Sequence, residues 1–381
     1  MPGGGRLFDM RIGIDARAFY PQRNGIANYV CGLVEQLPAL APEHEYFLYS
    51  HKEMSGPEPH RAFRRHVDCK FSWCPGPLWL WSRCGQFARR HKLDVFWSST
   101  PALPLWVPRA TLKVVTVYDL VWRRFPETMT KYNFWVQRVM GENGIRSCDR
   151  VIAISRATGD ELTQILGVPP ERIKLVYPCI FESYKVQDSF RAAEYISSKY
   201  GVSPRYMAAV GTIEPRKNLS LLVRVLQMLK KNGRLDCPLL IAGANGWRNS
   251  RLYQEVRESG LTEQEIRFLG YIPNEDLPQF YAGAQLFLFP SLYEGFGIPP
   301  LEAMACGTPV VASDAQPMPE VLGDAAILEP PSSAERFMEA IVRVLGDRSL
   351  HCAMRQRGLD RVRAFRWGAT GRQLLEALTC G

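Results

Sequence analysis

Short apolar runs alternate with amphipathic stretches along the chain, and this alternation predicts strands separated by helices. In the first half the strand-like runs are Arg11–Ile14, Tyr46–Tyr49, Val95–Ser98, Lys113–Val117 and Val151–Ile154. In the second half they are Tyr206–Val210, Leu239–Ala242, Ile266–Leu269, Leu286–Phe289 and Val310–Ala312. Because alternating strands and helices favour a parallel sheet covered by helices, we expect an α/β protein with two such units.

A polar stretch between the two series marks the predicted domain boundary. It lacks strand alternation and ends in a cluster of Gly, Ser and Pro before the next strand. We predict an N-terminal domain over 1–183, a linker over 184–203 and a second domain over 204–353. Residues 354–381 carry apolar positions at helical spacing and two exposed-looking aromatics, Phe365 and Trp367. This last segment is predicted to return to the first domain.

Composition is that of a folded protein with a basic surface. The chain has 381 residues, of which 46% are hydrophobic and 22% charged, so it can bury two cores. Lys and Arg number 47 against 38 Asp and Glu, a formal charge of +9 that favours an anionic partner. A nucleic-acid-binding module and a basic helix interleaved with aromatics are both missing from the pattern, so nucleic acid is the least favoured partner.

The N-terminal residues and the cysteines favour a cytoplasmic protein. The stretch 1–15 lacks the continuous apolar region of a secretion signal, and no run of about 18 apolar residues occurs. The ten cysteines are scattered, without a CxxC pair or metal-ligand spacing to His. We interpret most of them as core thiols in a reducing compartment, with disulfides as the alternative.

A glycine follows the first strand, at the start of a helix-like run from Tyr29 to Leu37. Asp15 ends that strand, and the turn reads Arg23-Asn24-Gly25-Ile26-Ala27-Asn28. Glycine lets the backbone approach a ligand closely, and a helix start favours an anion. A glycine required only by the turn explains the pattern equally well.

A basic pair follows the strand Tyr206–Val210. The sequence Gly211-Thr212-Ile213-Glu214-Pro215-Arg216-Lys217-Asn218 leads into a helix predicted over Leu219–Lys231. A guanidinium can make forked contacts to a diphosphate and an ammonium supplies a point charge, so Arg216 and Lys217 suit a departing nucleoside diphosphate. The alternative is a solvated pair with Asn218 as an ordinary N-cap.

Two glutamates follow the strand Leu286–Phe289. Glu294 lies in the loop and Glu302 in the early turns of a helix that begins at paired prolines and ends before Gly307. Each carboxylate can accept several hydrogen bonds, so one can hold sugar hydroxyls and the other a ribose diol. Two unrelated surface or capping acids are the alternative.

These segments carry a family resemblance. GTIEPRKNLSLLV followed by EGFGIPPLEAMACGTPVVAS, with its two glutamates, resembles the retaining glycosyltransferases of family 4. RIGIDAR, NGIANY, VVTVYDL, RVIAIS and PEVLGDAAILEP fall in the expected order, so the match covers nearly the whole chain. The resemblance implies the GT-B architecture, with two Rossmann-like parallel-sheet domains facing across a cleft, the first on the acceptor side and the second binding a nucleotide sugar.

The branch of that family which the chain most resembles builds bacterial polysaccharides such as the lipopolysaccharide O-antigen. TVYDLVWRRFPETM and GTIEPRKNL carry this closer likeness, which implies mannose or rhamnose from a GDP-sugar and a lipid-linked glycan acceptor. By the same resemblance, Arg216 and Lys217 hold the donor diphosphate, Glu294 the transferred sugar and Glu302 the nucleoside ribose. Gly25 lies near the phosphates, and Phe296 and Gly297 offer backbone N–H groups to the sugar.

One position departs from the family pattern. Many relatives carry His-Asp after the fifth strand, where this chain has Tyr118-Asp119. A phenol can donate or accept a hydrogen bond but is not a cation near neutral pH, so a role for a charged imidazole there is in doubt. We place Tyr118 and Asp119 in the donor site, Tyr118 as a contact to the sugar or acceptor, with a core tyrosine as the alternative.

The mechanism expected from the resemblance is a front-face transfer. A double displacement needs a carboxylate beside the anomeric carbon, and the sequence does not locate one. The leaving diphosphate oxygen would accept the acceptor proton while Arg216 and Lys217 balance its charge. Since an Asp-x-Asp triplet is missing and two cations serve the diphosphate, we expect no metal and no cofactor beyond the nucleotide sugar.

An aromatic and basic stretch suggests contact with the inner membrane. Trp73, Trp79 and Trp81 precede Arg83, Arg89, Arg90 and Lys92, a combination suited to an anionic lipid surface. Tryptophans packed in a loop explain it equally well.

Three other functions are compatible with the sequence. They are a UDP-sugar enzyme of the same fold, a catalytically silent partner subunit, and a nucleotide-sugar epimerase of the same architecture.

Overall fold

The computed structural model of the protein describes residues 10–19, 25–57, 60–246 and 249–379, in which the chain forms two α/β units. The first unit comprises the residues up to Cys179 and those from Trp367 onward, and the second runs from Ile180 to Arg366. Each unit holds one sheet whose strands all pair in parallel. The prediction of two parallel α/β units is confirmed.

The first sheet has seven strands within the described residues, in the order β3-β2-β1-β4-β5-β6-β7. They are β1 (Arg11–Asp15), β2 (Glu45–Ser50), β3 (Phe63–Val67), β4 (Val95–Ser98), β5 (Leu112–Val117), β6 (Arg150–Ala153) and β7 (Ile173–Leu175). The register places Ile14 opposite Leu48 of β2 and Trp97 of β4. The five predicted strands of this half are present. The pattern missed β3 and β7 because β3 carries exposed arginines at a sheet edge and β7 has three residues.

Helices connect these strands and cover the sheet. They are α1 (Gly25–Leu40), α2 (Gly76–Arg90), α3 (Val121–Arg124), α4 (Lys131–Trp135), α5 (Glu142–Ser147) and α6 (Arg156–Leu166). A π-helical stretch, Val136–Gly141, joins α4 to α5, and 3₁₀ turns lie at Cys69–Phe71, Pro126–Thr128 and Pro170–Arg172. The core between helices and sheet is built from large apolar side chains such as Trp79, Phe96 and Val115.

The second sheet has six strands within the described residues, in the order β10-β9-β8-β11-β12-β13. They are β8 (Met207–Val210), β9 (Leu239–Ala242), β10 (Ile266–Gly270), β11 (Leu286–Phe289), β12 (Val310–Ser313) and β13 (Ile327–Glu329). The helices are α7 (Ser189–Tyr200), α8 (Leu219–Lys231), α9 (Ser250–Glu258), α10 (Leu277–Ala282), α11 (Ile298–Ala305), α12 (Met318–Leu322), α13 (Ala334–Gly346) and α14 (Arg348–Val362). Pro215–Lys217 and Gly323–Ala325 form 3₁₀ turns.

The predicted linker over 184–203 is corrected by the structure, because it contains α7 and belongs to the second unit. The helix is capped at Asp188, whose side chain accepts from two backbone N–H groups, and it buries an apolar stripe that its polar composition hides. Asp276, at the start of α10, accepts hydrogen bonds from Tyr195 and Lys199 of α7. These contacts fix α7 against the start of α10.

The predicted segment 354–381 is also divided differently. Its first part lies in α14 of the second unit, and the chain returns at Trp367, where α15 (Trp367–Thr379) begins. The ring of Trp367 packs against Gly32 of α1 so closely that a Cβ at that glycine would lie 2.1 Å from it. Phe365 looked exposed in the sequence, but it is buried edge-on against Phe296 at a ring distance of 5.5 Å.

Candidate active site

The order of strands in the second sheet reverses between β8 and β11, and the loops after these two strands carry the predicted site. The strands pair directly, with Met207 opposite Leu286, so their carboxyl ends and following loops lie side by side. Ligands of open α/β sheets bind at such a reversal point, where loops lead into helix N-termini. The sequence therefore placed its candidate residues at the position that the topology favours.

Arg216, Lys217 and Glu294 are brought together at this point. Glu294 accepts from Arg216 Nη1 at 3.0 Å and from Lys217 Nζ at 2.6 Å, one cation on each carboxylate oxygen. Arg216 also donates to the carbonyl of Tyr293 at 2.8 Å and to Glu214 Oε1 at 2.6 Å. The side chains of Arg216, Lys217 and Glu294 are 16%, 14% and 11% exposed, so the cluster is largely shielded from water.

Glu294 is held as a carboxylate. Burial raises the pKa of Glu294. The charges of Lys217 and Arg216 and the hydrogen bonds that the carboxylate accepts outweigh this effect, so the pKa lies below its ordinary value. Two cations and two carboxylates, Glu294 and Glu214, thus balance one another. A diphosphate entering this cluster would exchange carboxylate for phosphate oxygens around the same cations.

The loop after β8 is locked onto the loop after β11 by Asn218. This residue adopts a left-handed conformation (φ 54°), and its amide donates to the carbonyls of Pro290 and Pro331 at 3.1 and 2.8 Å. The Leu292 N–H donates to the carbonyl of Arg216 at 2.9 Å. Asn218 is the N-cap residue of α8, but its side chain makes no cap bond and instead joins its own loop to the loops after β11 and β13.

Glu302 lies apart from this ion-pair cluster, in α11. The hydroxyl of Tyr281 donates to its Oε2 at 2.8 Å, and the hydroxyl of Tyr184 forms a second hydrogen bond to the same carboxylate. Burial raises the pKa of Glu302 from 4.5 to about 7, and the two phenol hydrogen bonds oppose that rise. Within the described residues no cation pairs with Glu302, so it gains a proton more readily than Glu294 does.

Phe296 and Gly297 form the end of the loop that leads into α11. Phe296 is buried, and Gly297 has a φ of 92°, a left-handed conformation that L side chains rarely adopt. The glycine therefore makes the sharp entry into α11 possible. Their backbone roles toward a sugar stay predictions.

Gly25, Tyr118 and Asp119 belong to the first unit. Gly25 is the exposed first residue of α1, while Arg23 and Asn24 lie outside the described residues. The hydroxyl of partly exposed Tyr118 donates to the carbonyl of Ser99 at 2.8 Å, and Asp119 accepts from the N–H of Val121. The roles predicted for these three residues stay predictions.

An ion pair at the corresponding edge of the first sheet was not singled out by the sequence. Asp15, fully buried at the end of β1, accepts a forked pair of hydrogen bonds from Arg17 at 2.8 Å each and a further bond from the hydroxyl of Ser99. Arg17 also donates to Thr100, after β4. The strand order reverses between β1 and β4, so a polar residue at a strand end was the available signal.

The aromatic and basic stretch is divided between core and surface. Trp79 is fully buried, with its indole N–H donating to Asp68 at 3.0 Å, so the surface role predicted for it is wrong. Trp73 and Trp81 are 78% and 41% exposed. Arg89 and Arg90, on the last turn of α2, line a surface depression of about 500 Å³ together with the exposed Trp106.

Three or more His, Cys, Asp or Glu side chains do not converge anywhere in the described part of the chain to form a metal-binding group. Among the helices of the same residues, none combines the length and apolar character needed to cross a bilayer.

Comparison with known proteins gives matches in both units. The model of the group 1 glycosyl transferases matches residues 196–361, and the model of glycosyltransferase family 4 matches residues 23–182. O-antigen chain mannosyltransferase B of Escherichia coli is 33% identical over 289 residues, which are 76% of this chain and 75% of that protein. The serotype-specific mannosyltransferase WbdA of E. coli is 27% identical over 61% of this chain, a match that covers 29% of WbdA.

Solved structures resemble the whole chain. Anabaena HepE in complex with UDP-glucose has a TM-score of 0.72 at 20% identity, covering 96% of this chain and 98% of HepE. WaaG, a glycosyltransferase involved in lipopolysaccharide biosynthesis, has a TM-score of 0.71 at 16% identity, covering 97% of this chain and 100% of WaaG. At these identities the likeness establishes the fold, and the expected GT-B architecture is confirmed.

Proposed function

This chain belongs to the glycosyltransferases, with a family 4 domain followed by a group 1 domain, and we propose that it transfers mannose or rhamnose from a GDP-sugar to a lipid-linked glycan with retention of the anomeric configuration. The enzyme class follows from the family. The hexose, donor, acceptor and stereochemistry are the proposal, which includes a place in O-antigen assembly. Support for the hexose comes from the E. coli relative at 33% identity, which is named an O-antigen chain mannosyltransferase.

The observation that carries the proposal is the cluster of Arg216, Lys217 and Glu294 where the strand order reverses. The two cations lie within 3.0 Å of the same carboxylate and are largely shielded from water. In such a site, charge that develops on a leaving diphosphate is stabilised more strongly than in bulk water. We assign Arg216 and Lys217 to the diphosphate and Glu294 to the hydroxyls of the transferred sugar.

The proposed transfer proceeds on one face of the sugar. The bond from the anomeric carbon to the diphosphate oxygen breaks, and a bond from that carbon to the acceptor oxygen forms. The acceptor proton passes to the departing diphosphate oxygen, whose negative charge is balanced by Arg216 and Lys217. Because these two cations supply the charge, we propose that turnover needs no divalent metal, and we expect it to be unchanged by a chelator.

The remaining assignments complete the donor site. We assign Glu302 to the ribose diol, and the backbone N–H groups of Phe296 and Gly297 to the sugar. From the first unit we assign Gly25 to the phosphates, and Tyr118 and Asp119 to the sugar or acceptor.

Binding of a donor panel tests the nucleotide preference. Purified protein is titrated with GDP-mannose, GDP-rhamnose, UDP-glucose and UDP-N-acetylglucosamine, and the shift of the thermal unfolding midpoint is followed. We expect the two GDP-sugars to stabilise the protein most. A preference for a UDP-sugar would overturn the GDP assignment but keep the site, whereas stabilisation by none of the four would favour a catalytically silent subunit.

A lipid-linked acceptor would be reached at the inner leaflet, and we propose that the first unit binds the cytoplasmic membrane surface there. The exposed side chains of Trp73, Trp81 and Trp106 suit the interfacial region, and Arg89 and Arg90 suit anionic headgroups.

Replacing Arg89 and Arg90 by glutamine should weaken binding to anionic vesicles. At about 1 kcal/mol for each basic residue near the surface, the double variant is expected to lose roughly thirtyfold in vesicle partition. The measurement is flotation with liposomes that contain or lack anionic lipid. Arg251→Gln, at an exposed site in α9 of the second unit, is the control. If wild type floats equally with neutral and anionic liposomes, the membrane assignment is wrong.

A further inference from the structure

Glu302 is clamped by two phenols that come from different parts of the second unit. Tyr281 lies in α10, and Tyr184 lies in the segment by which the chain enters this unit, ahead of α7. Their rings meet edge-on with centroids 5.9 Å apart, and both hydroxyls hydrogen-bond the carboxylate. The backbone of Lys185 also hydrogen-bonds Cys306, so this entry segment is fastened both to α11 and to the residue that follows it.

Both phenols act as hydrogen-bond donors at neutral pH. Burial and the neighbouring carboxylate raise the pKa of Tyr281 and of Tyr184 above their ordinary range, so both stay protonated. Cys306, which directly follows α11, is a further titratable group beside Glu302, and its thiol pKa is raised by burial and by Glu302. On the packed helix α14, Arg355 donates to the carbonyl of Gly307 instead.

The two phenols leave the carboxylate with further capacity. A carboxylate offers about four lone-pair positions, and the two tyrosines use two of them. A vicinal diol presents two hydroxyl donors, which the remaining positions can accept. Glu302 can therefore accept hydrogen bonds from a ribose while the two tyrosines hold its carboxylate in place.

We propose that Tyr281 and Tyr184 are positioning residues, which hold the Glu302 carboxylate so that it accepts hydrogen bonds from the ribose diol of the nucleotide sugar. This proposal rests on the role of Glu302 in the proposed function. The entry segment before α7 is therefore part of the donor site. The two tyrosines act through Glu302 and do not themselves contact the reacting atoms.

A pH dependence of donor binding follows. The hydroxyls of a ribose donate best to an ionised carboxylate, and the pKa of Glu302 is about 7, so donor affinity should rise as the pH increases through that value. Removal of one phenol hydroxyl removes a hydrogen bond that lowers this pKa. The inflection should then move to higher pH by roughly one unit, with about tenfold weaker binding at pH 6.5.

The experiment measures the affinity of GDP-mannose, with UDP-glucose in parallel, from pH 5.5 to 8.5. Nucleotide sugars are chosen because their diphosphate is a diester without a proton that titrates in this range. The variants are Tyr281→Phe, Tyr184→Phe and Glu302→Gln. Tyr206→Phe is the matched control, because Tyr206 is as buried as Tyr281 and its hydroxyl donates to the carbonyl of Phe280 at 2.9 Å.

We expect the binding inflection to move to higher pH in Tyr281→Phe and Tyr184→Phe and to stay in place in Tyr206→Phe. In Glu302→Gln we expect no inflection. If Tyr281→Phe and Tyr184→Phe keep the wild-type inflection while Glu302→Gln abolishes it, the positioning role is wrong and the ribose role stands. If Glu302→Gln binds both donors with wild-type affinity and pH profile, the ribose role itself fails.

Discussion

Alanine in place of Lys217 is expected to lower turnover of the nucleotide sugar by roughly 10²- to 10³-fold, the loss typical of removing one preorganised group that stabilises transition-state charge. Lys217 Nζ lies 2.6 Å from Glu294 Oε1 and is largely buried, so solvent compensates poorly for the loss of its charge. Because Arg216 remains 3.0 Å from the same carboxylate, Glu294 keeps a partner and the protein should still fold. Steady-state kinetics and the thermal unfolding midpoint separate the two effects.

Lys230→Ala is the matched control for Lys217→Ala. Lys230 pairs with Glu265 at 2.9 Å in the same unit, but the pair is exposed and its loss should change turnover by less than a factor of two. Lys217→Ala with wild-type turnover and a normal unfolding midpoint would remove this lysine from the mechanism.

Glutamine in place of Glu294 should separate donor binding from chemistry. Turnover is expected to fall by about 10²-fold, because the contact to the transferred sugar changes from a charge-assisted to a neutral hydrogen bond in a shielded site. The nucleoside diphosphate should bind at least as tightly as to wild type, because the carboxylate that competes for Arg216 and Lys217 has lost its charge. Calorimetric titration with GDP and UDP measures the second effect.

The control for Glu294→Gln is Glu265→Gln, which removes a carboxylate from the exposed pair with Lys230. It should leave both turnover and nucleotide affinity near wild type. Should Glu294→Gln lose nucleotide affinity in step with turnover, the carboxylate would serve to organise the two cations, and its assignment to the sugar would be incorrect.

Periodicity and loop residues predicted much of the fold and part of the site. The strands β8 and β11 were readable as apolar runs, and the basic pair and the glutamates follow them directly in sequence. Parallel strands end at one edge of their sheet, so residues after neighbouring strands meet there. The meeting of Arg216, Lys217 and Glu294 depends on this rule and on the pairing of β8 with β11.

Other contacts depend on tertiary packing that local sequence does not encode. Tyr184 lies in a polar stretch and Tyr281 in an apolar one almost a hundred residues later, and neither position reveals that both hydroxyls reach Glu302. The helix α7 escaped prediction for a related reason, since its buried stripe consists mainly of alanines, whose small side chains give a weak periodic signal. Trp79 shows the converse, because neighbouring tryptophans look alike in sequence while α2 turns one of them into the core.

The stereochemistry of transfer from GDP-mannose tests the central claim most directly. Wild type and Glu294→Gln are supplied with GDP-α-mannose and a lipid-linked mannoside in the presence of a chelator, and the anomeric proton of the new linkage is observed by NMR. We predict an α-linked product from wild type and turnover near background from the variant. A β-linked product would contradict retention, and equal turnover of the two proteins would contradict a catalytic site at Arg216, Lys217 and Glu294.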